Sequence, residues 1–288
     1  MHSNSQFPLQ GVIGVVAESA DELQLACHKG LHSVELRADL LLDSGLSETQ
    51  LFDLVKAGKD NGLGVLFTLR HPTHGGTFQG EEPARVAMSL QAVESGADLF
   101  DLEWGTAAAE LLPADAPPMI LSYHDFNAMP DEAELKALTV QMEATGARAI
   151  KVVPTACGVA DALAMLQWVG QGNDTSARIG FAMGETAACS RILTTVCGGE
   201  ITYASFGAPV APGQIDIDEL LSVYRVGALD RTSEVTAVCI DGDAGRERVL
   251  ALNKTYTGSK RVAVGFGAAD KASIEQYAHI LSVIDIVS

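Results

Sequence analysis

The chain has 288 residues, of which 37 are acidic and 19 are lysine or arginine, giving a formal net charge of −18 at pH 7. Because a phosphate backbone would be repelled by such a charge, we exclude a nucleic acid as the partner. The apolar runs, such as 11–17 and 149–153, are far too short to span a bilayer, so no membrane partner is expected.

From Gly11 to about Val226, short β-branched runs alternate with amphipathic stretches of helical spacing. Strands are predicted over 11–17, 33–39, 64–70, 98–104, 118–125, 148–154, 178–184 and 201–207. Helices are predicted between them over 19–30, 47–61, 82–96, 131–145, 158–170 and 187–197, with a stunted helix in the proline-bearing interval after the fourth strand. Most gaps carry Gly, Pro or Asn, which end helices and form turns.

Eight strand–helix units within residues 1–226 match a (β/α)8 TIM barrel, the α/β fold that we predict for this domain. A doubly wound open sheet is the alternative. That fold usually carries a G-x-G-x-x-G turn after its first strand, whereas residues 11–14 lie inside the strand and lack the pattern. In a barrel, the C-terminal ends of the strands are expected to carry the chemistry.

Three successive strands bring charged side chains to this end of the predicted barrel. The second strand ends with Glu35, Arg37 and Asp39, whose alternate spacing would place all three on the interior face. Arg70 ends the third strand, and an Asp-Leu-Glu sequence (101–103) ends the fourth. Because buried charges need partners or a ligand, these residues indicate either a structural ion network or a polar or anionic ligand.

The fifth and sixth predicted strands carry a histidine and a lysine. His124 ends the fifth strand, where it can move protons near neutral pH or be held structurally by hydrogen bonds. Lys151 interrupts an apolar run in the sixth strand. Burial would lower its pKa and make the neutral amine available to attack a carbonyl, although an ion-paired or snorkelling lysine is the alternative. Their neighbouring positions favour Schiff-base chemistry.

The last two predicted units provide an arginine and a loop that follows the eighth strand. Ser190 and Arg191 follow the seventh strand, in the first turns of a predicted helix, where an anionic group would be favoured. After the eighth strand comes a loop rich in proline and glycine that ends near Gln214. This loop is either a lid that carries Gln214 to the ligand or a simple connector.

These residues, in this order, resemble type I 3-dehydroquinate dehydratase. The motifs are Glu35-Leu-Arg37-Ala-Asp39, Phe67-Thr-Leu-Arg70, Ser122-Tyr-His124-Asp125-Phe126, Ile150-Lys151-Val152, Met183-Gly184 with Ser190-Arg191, and Ala211-Pro-Gly-Gln214. The resemblance covers about residues 10–226 and implies a (β/α)8 fold and, as in many members, a homodimer. It also implies a carbon–oxygen lyase that converts 3-dehydroquinate, a small-molecule substrate, to 3-dehydroshikimate in the shikimate pathway.

The resemblance assigns roles to the matching positions. Lys151 would form an imine with the ring ketone, and His124 would remove the adjacent proton and protonate the departing hydroxyl. Arg191 would hold the substrate carboxylate. The hydroxyl groups would be bound by Glu35, Arg37, Arg70 and Gln214. No metal, nucleotide or other cofactor is implied, because the iminium itself serves as the electron sink.

Two positions depart from the family pattern. His74 precedes the Gly75-Gly76 pair, where the family usually has a glutamate close to the catalytic histidine. Losing that negative charge would disfavour the protonated form of His124. Ala211 stands directly before Pro-Gly-Gln, in a loop where family members usually carry a serine that bonds the substrate. The Schiff-base pair is intact, so we expect activity with an altered rate and pH profile.

Residues 227–288 lie beyond the predicted barrel and form a small C-terminal α/β extension. Two strand-like runs, 235–240 and 261–266, precede a helix-like stretch over 270–284. The segment faintly resembles the start of the shikimate dehydrogenase domain that often follows barrel dehydratases. Because it has no G-x-G-x-x-G turn and too few residues for a nucleotide-binding unit, we expect no dehydrogenase activity.

Cysteine usage and the N-terminus favour a cytoplasmic protein. The five cysteines are an odd number without a C-x-x-C pair, which argues against a disulfide framework and a structural zinc site. The first ten residues have no basic region followed by an apolar one, so no export signal is expected.

Two alternatives to the dehydratase stay open. One is another imine-forming lyase or aldolase on a barrel, which the predicted carboxylate- and hydroxyl-binding residues disfavour. The other is a ligand-sensing barrel that has lost turnover, an interpretation favoured by His74, Ala211 and the extension.

Overall fold

A computed structural model of the chain describes residues 7–172, 177–269 and 271–288. Residues 1–6, part of the segment examined for an export signal, and Asp270, where the sequence predicts the last helix to begin, lie outside the described residues. Within those three ranges, no helix combines the length and apolar composition that crossing a membrane requires.

Nine parallel strands of the described residues form one curled sheet. They are β1 (Gly11–Val16), β2 (Ser33–Arg37), β3 (Gly64–Thr68), β4 (Leu99–Glu103), β5 (Met119–Asp125), β6 (Ala149–Pro154), β7 (Ala177–Gly180), β8 (Ile201–Ser205) and β9 (Ile215–Asp216). Their order is β7-β6-β5-β4-β3-β2-β1-β8-β9. Because β1 pairs with both β2 and β8, the eighth strand lies beside the first, as the predicted barrel requires. Among the described residues no ladder joins β7 to β8, so the hydrogen-bonded sheet is a curled half-barrel.

In the described ranges, seven α-helices connect the strands of this sheet. They are α1 (Asp21–His28), α2 (Ala38–Asp43), α3 (Glu48–Asp60), α4 (Glu82–Glu94), α5 (Glu132–Glu143), α6 (Val159–Gly170) and α7 (Ala188–Leu193). The sequence signals explain several boundaries. Ser47 and Asp131 each form a capping box, which fixes the first residues of α3 and α5. A short 3₁₀ helix, Ala107–Leu111, stands where a stunted helix is predicted after β4.

Several predicted elements end earlier than expected. The strand predicted over 33–39 ends at Arg37, because the chain turns directly into α2. β7 ends at Gly180 rather than 184, and only Met183 returns to pair with Thr155. The helix predicted over 187–197 ends at Leu193, where a β-branched run (194–196) of low helix propensity begins.

Alternation along the strands divides the apolar side chains into two layers. Outward-facing residues such as Leu36, Phe100 and Ile150 pack with the helices in one buried cluster. Inward-facing residues form a separate cluster that fills the barrel, for example Ile13, Leu66, Leu99, Ile120, Ile179 and Ile201. This inner layer supports the polar side chains that follow it along each strand.

The C-terminal segment forms a second parallel sheet in the order β11-β10-β12. Its strands are β10 (Glu234–Val238), β11 (Arg261–Gly265) and β12 (Val283–Val287), and its helices are α8 (Gly242–Thr255), α9 (Lys271–Glu275) and α10 (Ala278–Leu281). The segment lies against the first sheet's helices, through contacts of α10 with α6 and of β11 with α7.

The sequence interpretation of this segment is partly wrong. The single helix predicted over 270–284 is instead two short helices, which end before Ser282 takes a left-handed conformation (φ 44°). The alternating apolar residues that follow then form β12. Helix α8, which the sequence interpretation missed, begins at an Asp241 side-chain cap on Gly242.

Candidate active site

Above the apolar layer, the strands turn polar side chains into the barrel. The residues that alternate with outward-facing apolar neighbours on β2, β4, β5, β6 and β8 include Glu35, Asp101, Ser122, Lys151 and Tyr203. All five are buried. A buried layer with this many polar groups requires hydrogen bonds and opposite charges within it, or a ligand.

Lys151 occupies the middle of β6 and is 4% exposed. Its Nζ lies 3.5 Å from Oδ2 of Asp101 and 4.2 Å from the centroid of the Tyr203 ring. Burial lowers the pKa of this amine, although the carboxylates of Asp101 and Glu35 oppose the shift. Of the eight lysines, all within the described ranges, Lys151 is the buried one. Its neutral, nucleophilic form is therefore more accessible than that of an exposed lysine.

A buried ion network surrounds the lysine. Nη1 of Arg70 donates to Oδ1 of Asp101 at 2.7 Å, to Oε1 of Glu103 at 3.0 Å and to Oγ of Ser122 at 2.9 Å. Burial acts to raise the pKa of Asp101, but the charges of Arg70 and Lys151 outweigh it and hold that pKa below its usual value. Asp101 and Glu103 therefore belong to a structural ion network, as one of the two interpretations of the charged strand ends predicts.

His124 follows Ser122 on the inner face of β5; Ser122 pairs with Lys151 on β6, so His124 lies two residues further along its strand than the level of the lysine. Burial lowers its pKa well below the usual value, and the charges of Arg70, Lys151 and His74 lower it further. Among the described residues, its Nδ1 has no hydrogen-bond partner. A neutral imidazole in this position can accept a proton, as a general base must.

His74 lies next to this histidine. It ends a 3₁₀ turn, Pro72–His74, and the centroid of its ring is 5.8 Å from that of His124 with the planes at 80°. Burial lowers the pKa of His74 itself. Residue 74, where the resemblance expects a glutamate, therefore contacts the histidine to which the resemblance assigns proton transfer.

We expect His74→Glu to raise the pKa of His124, because a carboxylate at this distance favours the imidazolium that the present neighbours disfavour. The acid limb of the pH–rate profile for kcat/KM should move to higher pH, as should the imidazole titration followed by NMR. His74→Gln is the neutral control and should move the limb far less. A limb that stays fixed or moves to lower pH in the glutamate variant would contradict the contact.

Arg191 is buried, yet within the described residues no carboxylate pairs with it. Its Nη2 donates to the carbonyl of Pro212 at 3.0 Å, its guanidinium lies 4.3 Å from the centroid of Phe181, and its Nε has no partner. Burial lowers its pKa to about 10. Arg191 is the fourth residue of α7, near the helix start as predicted, but α7 has only six residues and Arg191 also lies in its last turn. An unpaired buried guanidinium nevertheless favours an anionic ligand.

The loop over residues 206–214 lies across the end of the barrel. Oε1 of Gln214 accepts a hydrogen bond from the backbone N–H of Val210 at 2.8 Å. Gly213 has a φ of 70° and packs so closely on the chain that a Cβ would lie 2.7 Å from the carbonyl oxygen of Gly184. The loop is thus held against the site, which favours the lid interpretation over a simple connector.

The charged residues of β2 have separate partners. Oε1 of Glu35 accepts a hydrogen bond from Thr68 at 2.7 Å. Nε and Nη2 of Arg37 donate to the two carboxylate oxygens of Asp39 at 2.9 and 2.8 Å. The expectation that Asp39 continues the alternation of the strand is wrong, because the first turn of α2 rotates its side chain onto Arg37.

One cavity at the C-terminal end of the strands collects all seven residues singled out from the sequence: Glu35, Arg37, Arg70, His124, Lys151, Arg191 and Gln214. Tyr203 and Phe181 also line it, and the sequence interpretation missed both because an aromatic residue within a strand is typical of core packing. Within the described ranges, no three His, Cys, Asp or Glu side chains are grouped as metal ligands would be.

Comparisons with known proteins agree with this geometry. The sequence profile of the family described as Type I 3-dehydroquinase matches residues 12–230, about three-quarters of the chain. The 3-dehydroquinate dehydratase of Methanothermobacter thermautotrophicus is 33% identical over 206 residues, which are 70% of this chain and 87% of that protein. The crystal structure of 3-dehydroquinate dehydratase from Geobacillus kaustophilus superposes with a TM-score of 0.65 at 24% identity, covering 75% of this chain and 90% of that one. This likeness confirms the barrel fold.

A longer relative extends the match. The chloroplastic bifunctional 3-dehydroquinate dehydratase/shikimate dehydrogenase of Arabidopsis thaliana is 30% identical over 235 residues, which are 78% of this chain. The match spans only 38% of the length of that bifunctional protein. The sequence resemblance of the extension to the start of a dehydrogenase domain agrees with such an arrangement.

Proposed function

Since the chain belongs to the type I 3-dehydroquinase family, we propose that its barrel dehydrates 3-dehydroquinate to 3-dehydroshikimate in the shikimate pathway. The observation that carries the proposal is the buried Lys151 amine, with a lowered pKa, in one cavity with His124 and the unpaired Arg191. This set matches the needs of imine formation, proton transfer and carboxylate binding.

In the proposed reaction, the Lys151 amine attacks the ring ketone and the carbonyl oxygen leaves as water, giving an iminium. The positive nitrogen acidifies the adjacent C–H, and His124 removes that proton. The electron pair left by that C–H bond then expels the hydroxyl group from the next ring carbon. The hydroxyl takes the proton from His124 and departs as water. Hydrolysis of the iminium returns the amine and releases the product, so no cofactor is required.

The remaining polar residues of the cavity would orient the substrate. Arg191 would take the carboxylate in its planar fork, and the ring hydroxyls would be bound by Glu35, Arg37, Arg70 and Gln214. Arg70 is already fixed by three hydrogen bonds, so it would present its remaining donors without reorganisation.

We expect Arg191→Ala to weaken substrate binding or turnover by about 2–4 kcal/mol, because the carboxylate would lose its charge partner in a buried site. Steady-state kinetics with 3-dehydroquinate measure the change in kcat/KM. Arg191→Lys, which keeps the charge without the fork, should recover part of the loss. Unchanged kinetics in the alanine variant would place the carboxylate elsewhere.

The proposal is tested by following the absorbance of the conjugated enone product when the purified chain is mixed with 3-dehydroquinate. Formation of the enone supports the dehydratase. Binding without turnover would instead favour the ligand-sensing barrel. Imine formation with other carbonyl compounds only would favour another lyase or an aldolase.

The proposal extends to organisation and location. We propose a barrel unit over residues 1–226 and an extension over 227–288, supported by their two separate sheets, with dehydrogenase activity absent from the extension. A homodimer is proposed from the family resemblance, and sedimentation equilibrium tests it. A cytoplasmic location is proposed from the odd set of cysteines, all of which are free thiols in the described structure.

A further inference from the structure

Tyr203 is the aromatic side chain that faces the reactive amine. It lies on the inner face of β8 and is 3% exposed. The Nζ of Lys151 sits 4.2 Å from the centroid of its ring, and the ring itself packs edge-to-face on Phe181 at 5.8 Å. The face of the ring therefore lies on the amine, the geometry of a cation–π contact.

The charged groups around this amine come from β2, from β4 and from the segment that follows β3. Asp101 and Glu35 favour the ammonium, whereas Arg70 and Arg37 disfavour it, and His124 lies on the paired strand. The direct charge contact is with Asp101 at 3.5 Å, and this carboxylate is shared with Arg70. The face of an aromatic ring also attracts a cation. Because the ring carries no net charge, it adds no carboxylate for which an arginine would compete with the ammonium.

We propose that Tyr203 is a positioning residue for Lys151: its ring holds the ammonium in the free enzyme and stabilises the iminium formed during the reaction. The stabilisation of the iminium rests on the proposed function. When the amine nitrogen forms its bond to the carbonyl carbon and the oxygen leaves as water, the positive charge stays on nitrogen. A ring face that contacts the nitrogen before the reaction can then contact the cationic intermediate as well.

The hydroxyl of Tyr203 is not what carries this role. Among the described residues it has no hydrogen-bond partner. Burial raises the pKa of the phenol well above its usual value, and the carboxylates of Glu35 and Asp101 raise it further. The group is therefore a neutral phenol that provides no negative charge, and the interaction with Lys151 resides in the ring.

The direct test is the pKa of Lys151, which competitive labelling with acetic anhydride over a pH series measures without turnover. Removing the ring in Tyr203→Leu should lower this pKa by about 0.5–1.5 units, because the ammonium loses its contact. Tyr203→Phe keeps the ring and should stay within about 0.3 unit of the wild type. In turnover assays, the leucine variant should lose about tenfold in kcat with little change in KM, and the phenylalanine variant should lose little.

Two further measurements separate the ring contact from simple packing. Phe181→Leu removes the ring on which Tyr203 packs but leaves the Tyr203 ring beside the amine, so the pKa of Lys151 should fall less than in Tyr203→Leu. Phenylalanines with increasing numbers of ring fluorines, incorporated at position 203, keep the ring's shape while weakening its attraction for cations. The pKa of Lys151 should fall stepwise along that series.

The outcomes are distinct. An unchanged Lys151 pKa in Tyr203→Leu or in the fluorinated series would overturn the proposal, and so would equal falls in the phenylalanine and leucine variants. If the pKa responds as expected but the wild-type chain shows no dehydration of 3-dehydroquinate, the contact with the ammonium stands and the proposed function fails.

Discussion

Alanine in place of Lys151 should abolish the dehydration of 3-dehydroquinate, with a loss of roughly 5 kcal/mol or more in transition-state stabilisation. The cavity offers no second amine, since the other seven lysines of the described chain are partly or fully exposed. Without the iminium, the proton next to the ketone loses its electron sink, and His124 alone cannot replace it. Initial rates of enone formation give the measurement.

The fold should survive this substitution, because Asp101 keeps its hydrogen bonds to Arg70 and Ser122. Circular dichroism and thermal unfolding check that point. Lys136→Ala is the matched control: this lysine is exposed on α5, and its removal should leave turnover unchanged. Activity of the Lys151 variant above a few per cent of wild type would rule out the covalent mechanism.

The second large effect concerns stability. Arg85 is fully buried on α4, where it donates to Glu103, to Glu82 and, at 3.1 Å, to the carbonyl of Leu69. We expect Arg85→Met to lower the free energy of unfolding by about 3–5 kcal/mol, because Glu103 would stay buried with a single arginine left to balance it. Urea unfolding measures the change.

A surface pair provides the control for this prediction. Arg246 lies 3.6 Å from Glu219 with two-thirds of its side chain exposed, so Arg246→Met should cost about 0–1 kcal/mol. If the Arg85 variant lost no more than this control, the buried network would not be a source of stability in the barrel.

Much of the barrel was predictable because each strand is short, β-branched and bounded by turn residues. The alternation that places Lys151 inside also places Ile150 and Val152 outside, so one apolar run encodes both the core and the site. The capping residues Ser47 and Asp131 fixed helix starts to within one residue for the same local reason.

The predictions that were wrong or missing concern residues whose positions depend on contacts that local sequence patterns do not encode. Asp39 continues the alternation of its strand, but the turn into α2 redirects it to Arg37. Tyr203 looks like ordinary core packing until the fold brings β8 and β6 to one cavity, where its ring lies 4.2 Å from the amine of Lys151. In the extension, Val283–Val287 pairs with β10, a partner more than forty residues earlier, and only that pairing distinguishes a strand from the end of a helix.

The most direct test of the account is reduction of the intermediate itself. Borohydride added to the wild-type chain during turnover of 3-dehydroquinate should convert the iminium to a stable secondary amine and inactivate the enzyme irreversibly. Peptide mapping should then place the added mass on Lys151 alone, and omission of the substrate should leave the chain unlabelled and active. Labelling of a different lysine, or sustained turnover with no adduct, would contradict the Schiff-base mechanism.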